Sequence, residues 1–322
     1  MTLMKVDSIN LIAEFCQNHL GDKTLLEKMI VEAKNNGATH AKIQGLYSEE
    51  ITLRKEFENP SGELYRPYDK EVARLKDLDL SFETEKWFVE FCHKKSIIPM
   101  ITVFTHRGVD RAKSAGFKSI KIASYDCASK PIIKKVLEFA DEVVVSTGAT
   151  YWKEIAETVE LIAAHKKNFQ RIALLHAKTI YPTQLNQFEL LKMSTLALFG
   201  FKIGLSDHTK PEETQLVASK IAILLGANYI ERHFTVLDRE KTKDGPISIF
   251  PFELNELRNF CNKSKMEQLK EINVADLEKT LTCRSLEPAS EEILNRKYYR
   301  GRVASKYNGV EVFSWEELAF EK

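Results

Sequence analysis

The chain has 322 residues, enough for one large α/β barrel with a small appendage or for two ordinary domains. Its 47 lysines and arginines against 46 aspartates and glutamates leave a net charge of +1, so no global field favours nucleic acid or a membrane surface. No apolar run approaches the ~20 residues of a membrane span, residues 1–7 lack the apolar core of a signal peptide, and any anion must be held by local groups.

Taken in chain order, apolar and β-branched runs predict strands at residues 9–16, 39–44, 98–104, 119–124, 142–147, 171–177, 202–207 and 229–234. Helix-period segments lie between them, as at 24–35, 130–140 and 151–165. Pro131 sits where a first helical turn tolerates proline, and Gly37, Gly116 and Gly226 suit left-handed helix caps. Eight strand–helix alternations predict an α/β fold, a (β/α)8 TIM barrel with a short C-terminal helical and extended tail. The barrel is expected over residues 1–265 and the tail over 266–322. The competing open sheet would carry a glycine-rich turn after its first strand, and Gln17-Asn18-His19-Leu20-Gly21-Asp22 is not one.

Between Gln44 and Ile98 there is room for two βα units, but residues 47–80 are polar and read as a lid or as a surface insertion. After Phe252 a helical stretch is expected through about residue 279. Extended segments are expected at 301–307 and 310–313, either side of Asn308-Gly309. Five scattered cysteines (Cys16, Cys92, Cys127, Cys261, Cys283) lack CxxC spacing. They read as reduced thiols of a cytoplasmic enzyme, with no zinc ribbon and no disulfide framework.

The chemistry is suggested by ionisable residues inside strands. A charge there is costly unless it is paired or lies at the mouth where ligands bind. Lys42, Lys121 and Glu14 are such charges, and a buried Glu14–Lys42 pair is one way to accommodate two of them. Hydroxyls crowd the same strand ends: Thr102, Ser124, Ser146, Thr147, Thr179, Tyr181 and Ser206. Together with two lysines they outline a site for phosphate or carboxylate oxygens. His208 and His233 close neighbouring strands and could hold one divalent metal. Asp207 and Glu231 are candidate carboxylates on that metal or on its ligands. His176 reads as a buried hydrogen-bonding residue. Two imidazoles with oxygen ligands suit Mn²⁺ or a similar ion better than a structural zinc.

These motifs, in this order, resemble the sialic acid (N-acetylneuraminate) synthase family. The matching segments are residues 12–22 (IAEFCQNHLGD), 41–44 (AKIQ), 121–126 (KIASYD), 145–149 (VSTGA), 174–182 (LLHAKTIYP), 204–209 (GLSDHT) and 230–235 (IERHFT). The resemblance implies a transferase that condenses phosphoenolpyruvate with an aldose, such as an N-acyl hexosamine, to a 2-keto-3-deoxy sugar acid with release of phosphate. It implies phosphoenolpyruvate binding by Lys42, Thr102, Lys121, Ser124, Ser146, Thr179, Tyr181 and Ser206. Glu14, Lys121 and Asp126 would be catalytic, and Glu14, Gln44 and Asp244 would face the sugar. His208 and His233 would bind the metal, Mn²⁺ with Mg²⁺ or Co²⁺ as alternatives, in a cytoplasmic homodimer.

At the phosphoenolpyruvate contact, Thr179 stands where the family has an asparagine. Two departures concern the acceptor. In Asp244-Gly245-Pro246-Ile247 an isoleucine replaces the family's sugar-contacting acid. Residues 300–317 resemble only the opening of the family's antifreeze-like domain, whose arginine reaches the partner subunit's sugar. Poor use of N-acetylmannosamine is therefore expected. A synthase for a different or phosphorylated aldose, a metal aldolase or isomerase, and a non-catalytic partner of an intact synthase stay open as alternatives.

Overall fold

The computed structural model describes residues 9–165 and 171–318. Eight parallel strands pair in chain order and close into a barrel: β1 (Asn10–Glu14), β2 (His40–Gly45), β3 (Ile98–Val103), β4 (Ser119–Ile122), β5 (Glu142–Ser146), β6 (Arg171–Ala177), β7 (Lys202–Asp207) and β8 (Tyr229–His233). The barrel expected from alternation is the one adopted, with strand ends within two residues of the expected limits. Among the described residues no helix is long and apolar enough to cross a membrane.

The helices form where capping and stripe agree. In α1 (Lys23–Asn35) the Asp22 carboxylate accepts from the Thr24 amide at 2.7 Å, and Leu26, Met29, Ile30 and Ala33 make the buried stripe. The helices α2 (Tyr68–Lys76), α3 (Phe82–Lys94), α4 (His106–Ala115), α5 (Lys130–Leu137), α6 (Trp152–His165), α7 (Leu191–Leu196), α8 (Pro211–Thr214), α9 (Val217–Leu224) and α10 (Pro251–Cys261) follow. The apolar faces of α1, α3–α7, α9 and α10 and the outward strand residues form one continuous core, while Leu75 of α2 packs in a separate cluster with Ile51 and Val303.

Inside the barrel, side chains alternate with the strand period and stack in layers. At the floor, the Glu142 carboxylate takes the Tyr229 hydroxyl at 2.7 Å, the His40 imidazole at 2.8 Å and the Ser119 hydroxyl. Above it Ile12, Met100, Val144, Ala173, Leu175 and Tyr229 form a separate apolar plug. Burying each large side chain of that plug contributes roughly 1.5–3 kcal/mol. The register then lifts Glu14, Lys42, Thr102, Lys121, Ser146, Ser206, Glu231 and His233 towards the C-terminal strand ends.

The connection from β2 to β3 holds no extra strand. Residues 48–50 and 55–57 form short 3₁₀ turns, and α2 and α3 fill the rest. The polar part is joined to the C-terminal region: the Thr52 amide donates to the Arg302 carbonyl at 3.0 Å, and the Ala304 amide to the Glu50 carbonyl at 2.9 Å. The single helix expected after Phe252 is three, α10, α11 (Lys265–Lys270) and α12 (Val274–Thr280). Ser264 and Asn273 break it because their side chains cap the next segment, accepting from the amides of Glu267 and Ala275.

A further helix, α13 (Ser290–Tyr299), was not expected. It is followed by a hairpin of β9 (Ser305–Tyr307) and β10 (Val310–Val312). Asn308 (φ 51°) and Gly309 (φ 81°) turn it, both in the left-handed region that a two-residue hairpin loop requires.

Candidate active site at the barrel mouth

The layer above the plug carries two acids and two lysines, all buried. Lys42 contacts the Glu14 carboxylate, donates to the Thr102 hydroxyl at 2.8 Å and lies 3.8 Å from Glu231. Across the barrel, the Lys121 ammonium reaches both Glu231 oxygens at 3.1 and 3.0 Å, and the Ser206 hydroxyl donates to Glu231 at 2.9 Å. Burial alone would raise the Glu231 carboxyl, but Lys121 and Lys42 prevail and hold it ionised, well below the carboxylate range. Burial lowers the Lys42 ammonium, which Glu231 opposes and Lys121 reinforces. The Glu14–Lys42 pair considered from sequence therefore forms, and Lys121 has a partner of its own. Each ammonium has three N–H groups; the contacts above use two on each lysine, so one remains for a ligand oxygen.

Hydroxyls and small residues surround this layer. The Ser146 hydroxyl is buried and has no partner. Gly148 is a close-approach glycine: a β-carbon there would sit 2.8 Å from the Ala177 carbonyl and 3.0 Å from the Ser124 hydroxyl. Ser124 is buried at the end of β4, and Gln44 is half-buried opposite Thr102 in the β2–β3 register. Tyr181 lies against His208 with ring centroids 4.4 Å apart and the planes tilted by 48°, and it stays half-exposed at the rim.

Asp126 and Thr179 are tied to the C-terminal region. Asp126 accepts from the Ser314 hydroxyl at 2.8 Å, and burial raises its carboxyl to about 6. Thr179 turns to α13, where its amide donates to Glu292 at 3.1 Å and its carbonyl accepts from Asn295 at 2.8 Å. The same glutamate takes Lys178 at 3.0 Å, and Lys178 also meets Glu189 at 2.9 Å. No local pattern announces the Glu292 contacts, because that residue lies more than 100 positions from Lys178 and Thr179.

His208 and His233 stand with ring centroids 5.5 Å apart. His208 Nδ1 lies 3.0 Å from the Lys178 carbonyl, which can only accept, so Nδ1 carries the proton and Nε2 keeps its lone pair. Burial, aided by His233, lowers this imidazole to about 3, and burial lowers His233 as well, against Asp244. Both are neutral at neutral pH, as metal ligation requires. His233 Nδ1 and Asp244 Oδ2 are buried without partners. Among the described residues, Cys16, His233 and Asp244 form a group that could hold a metal ion, with donor atoms all within 4.8 Å of one another.

One expectation is corrected here. Asp207 points away from the barrel interior, to Arg232 at 2.6 Å, the Ser219 hydroxyl at 2.5 Å and the Thr209 amide at 2.9 Å. It braces β7 against β8 and cannot also serve the metal, since Ser206 and His208 already occupy the inward positions of that strand. His176 likewise points outward, its Nε2 2.6 Å from the Phe188 carbonyl, as a hydrogen-bonding residue. Cys16, one of the five cysteines read from sequence as reduced thiols, is a buried free thiol within this group.

Fold and site together define a (β/α)8 barrel with a buried, charged ligand site at the C-terminal strand ends, where such barrels carry their chemistry. The chain belongs to the NeuB family, whose profile matches residues 29–271. It is 27% identical over 319 residues to the N,N'-diacetyllegionaminic acid synthase of Campylobacter jejuni, covering 96% of this chain and 93% of that one. It is 28% identical over 272 residues to the N-acetylneuraminate-9-phosphate synthase of Drosophila melanogaster, covering 82% and 70%. Among solved structures, the N-acetylneuraminic acid synthetase of Leptospira borgpetersenii matches with a TM-score of 0.67 and 27% identity, over 92% of this chain and 95% of that chain. The resemblance expected from the motifs is borne out.

Proposed function

We propose that this chain joins phosphoenolpyruvate to an aldose, an N-acyl hexosamine or a related sugar, giving a 2-keto-3-deoxy sugar acid and phosphate for surface-glycan biosynthesis. A cytoplasmic homodimer is part of the same reading. The observation that carries it is the pair of lysines in one buried layer, each with an N–H to spare, beside two neutral histidines in a NeuB-family barrel. Lys42 and Lys121, with Thr102, Ser124, Ser146, Tyr181 and Ser206, would hold the phosphate and carboxylate. Glu14, Thr102 and Glu231 hold both side chains in place before the substrate arrives, so little reorganisation is needed during reaction.

C3 of phosphoenolpyruvate then attacks the aldehyde carbon of the sugar, whose C=O π bond opens to an alkoxide that takes a proton from solvent to become the product hydroxyl, and positive charge develops at C2. Water adds at C2, its proton passing to Glu14, which the Cys16 amide holds in place at 2.7 Å. The tetrahedral carbon expels phosphate, whose charge Lys42 and Lys121 take up. Holding both substrates in register supplies much of the rate. A divalent ion bound by His208 and His233 would polarise the aldehyde oxygen as a Lewis acid. The orphaned His233 Nδ1 and the neutral state of His208 fit such an ion.

The test is phosphate release from phosphoenolpyruvate with a panel of free and phosphorylated aldoses, including N-acetylmannosamine, in the presence of Mn²⁺, Co²⁺ or Zn²⁺. Aldose-dependent release is expected. No release with any aldose would overturn the proposal. Buried Ile247 favours an acceptor other than N-acetylmannosamine. Its kcat/KM should then fall roughly tenfold or more below the best aldose.

A further inference from the structure

We infer that Cys16 and Asp244 are ligands of the metal centre, so that the chain selects a thiophilic divalent ion of the Zn²⁺ or Co²⁺ type over Mn²⁺. The inference rests on the metal reading proposed above and specifies its donor set. Cys16 lies two residues beyond Glu14, which pairs with His233 where β8 closes on β1. Asp244 comes from the loop after β8, which is pinned at Gly245, where the Arg239 carbonyl leaves no room for a β-carbon. Two distant segments thus converge on His233, and one sulfur, one nitrogen and one carboxylate oxygen come within 4.8 Å of one another.

Two independent features point to a ligand in that space. His233 Nδ1 and Asp244 Oδ2 are both buried with no hydrogen-bond partner, and His233 is only 7% exposed. Native structures rarely leave such atoms unpaired. Cys16 also keeps a side chain at φ 42°, in the left-handed region that residues with a β-carbon avoid. The donor set decides the metal class. A thiolate favours Zn²⁺ or Co²⁺, whereas Mn²⁺ and Mg²⁺ prefer oxygen. With His208 of the metal reading above, the protein would supply four donors, Cys16, His208, His233 and Asp244. On binding, the Cys16 S–H proton leaves to solvent and the sulfur lone pair forms the metal bond, with no change of oxidation state. Asp244 is thereby assigned to the metal and not to the sugar.

The test uses the full chain, stripped of metal and titrated with Co²⁺. One equivalent should bind and produce a thiolate-to-cobalt charge-transfer band in the near ultraviolet. Cys16→Ser and Cys16→Gly should abolish the band, the second variant also relieving the backbone at residue 16. Asp244→Asn should keep the band and weaken binding. In competition, wild type should favour Zn²⁺ over Mn²⁺ by roughly 10²-fold or more, and Cys16→Ser should lose most of that preference. Stoichiometric cobalt without the band, or a band that survives in both Cys16 variants, overturns the inference while leaving a metal site at the histidines. Failure of wild type to bind any cobalt overturns the metal reading itself, and the inference with it.

Discussion

Glu231→Gln probes the buried charge layer. The wild-type carboxylate holds Lys121 through both oxygens, at 3.1 and 3.0 Å, and lies 3.8 Å from Lys42. The amide is nearly isosteric but neutral, so the Lys121 ammonium loses its carboxylate partner and Glu14 is the remaining carboxylate in the layer. Removing one partner from a buried pair costs about 3–5 kcal/mol. At roughly 2–4 °C per kcal/mol, the melting temperature should drop by about 6–20 °C.

The excess positive charge then makes the variant dependent on anions. A ligand present at 100 times its Kd stabilises by about 2.7 kcal/mol. The variant, which lacks the competing carboxylate, should bind phosphoenolpyruvate or inorganic phosphate more tightly and gain more than wild type does. Thermal melts of both proteins across a phosphate and a phosphoenolpyruvate series, at fixed ionic strength with chloride as the control, measure the two quantities. A drop corresponding to under about 1 kcal/mol would show that the layer is not a desolvated ion network. Equal gains in both proteins would show that these lysines do not receive the anion.

Glu50 and Glu142 give two further outcomes. Glu50 is buried against the C-terminal strap, and burial, only partly offset by the Thr105 hydroxyl, raises it to about 7. Its folded value exceeds the unfolded one, so stability is greatest below the unfolded value and falls as pH rises through about 7. Glu50→Gln should flatten the stability profile between about pH 5 and 7 and gain on the order of 3 kcal/mol above it; an unchanged profile would refute the burial argument. Glu142→Ala should cost about 3–5 kcal/mol by stranding His40, Ser119 and Tyr229 at the barrel floor. Phosphoenolpyruvate affinity in the folded variant should match wild type, and a large loss of affinity would mean the floor and the mouth are coupled.

The sequence by itself determined the barrel, because strand and helix periods are local and alternate eight times along the chain. It also placed Lys42, Lys121, His208 and His233 at the mouth, because a charge or an imidazole near a strand end is informative without knowing its neighbours. The outward turn of Asp207 was legible too: if Ser206 and His208 face in, period two sends Asp207 out to Arg232. Tertiary structure alone decided the rest. Lys121 meets Glu231 only because β4 and β8 face one another across a closed barrel, 110 residues apart in sequence. Thr179 and Lys178 are claimed by α13, whose glutamate arrives from more than 110 positions along the chain. Cys16 became more than a scattered thiol when β8 closed on β1 and brought His233 and Asp244 beside it. Periodicity reports which way a side chain faces. Which groups share a buried space depends on closure and register, and the cost of leaving polar atoms there unpaired makes those contacts decisive.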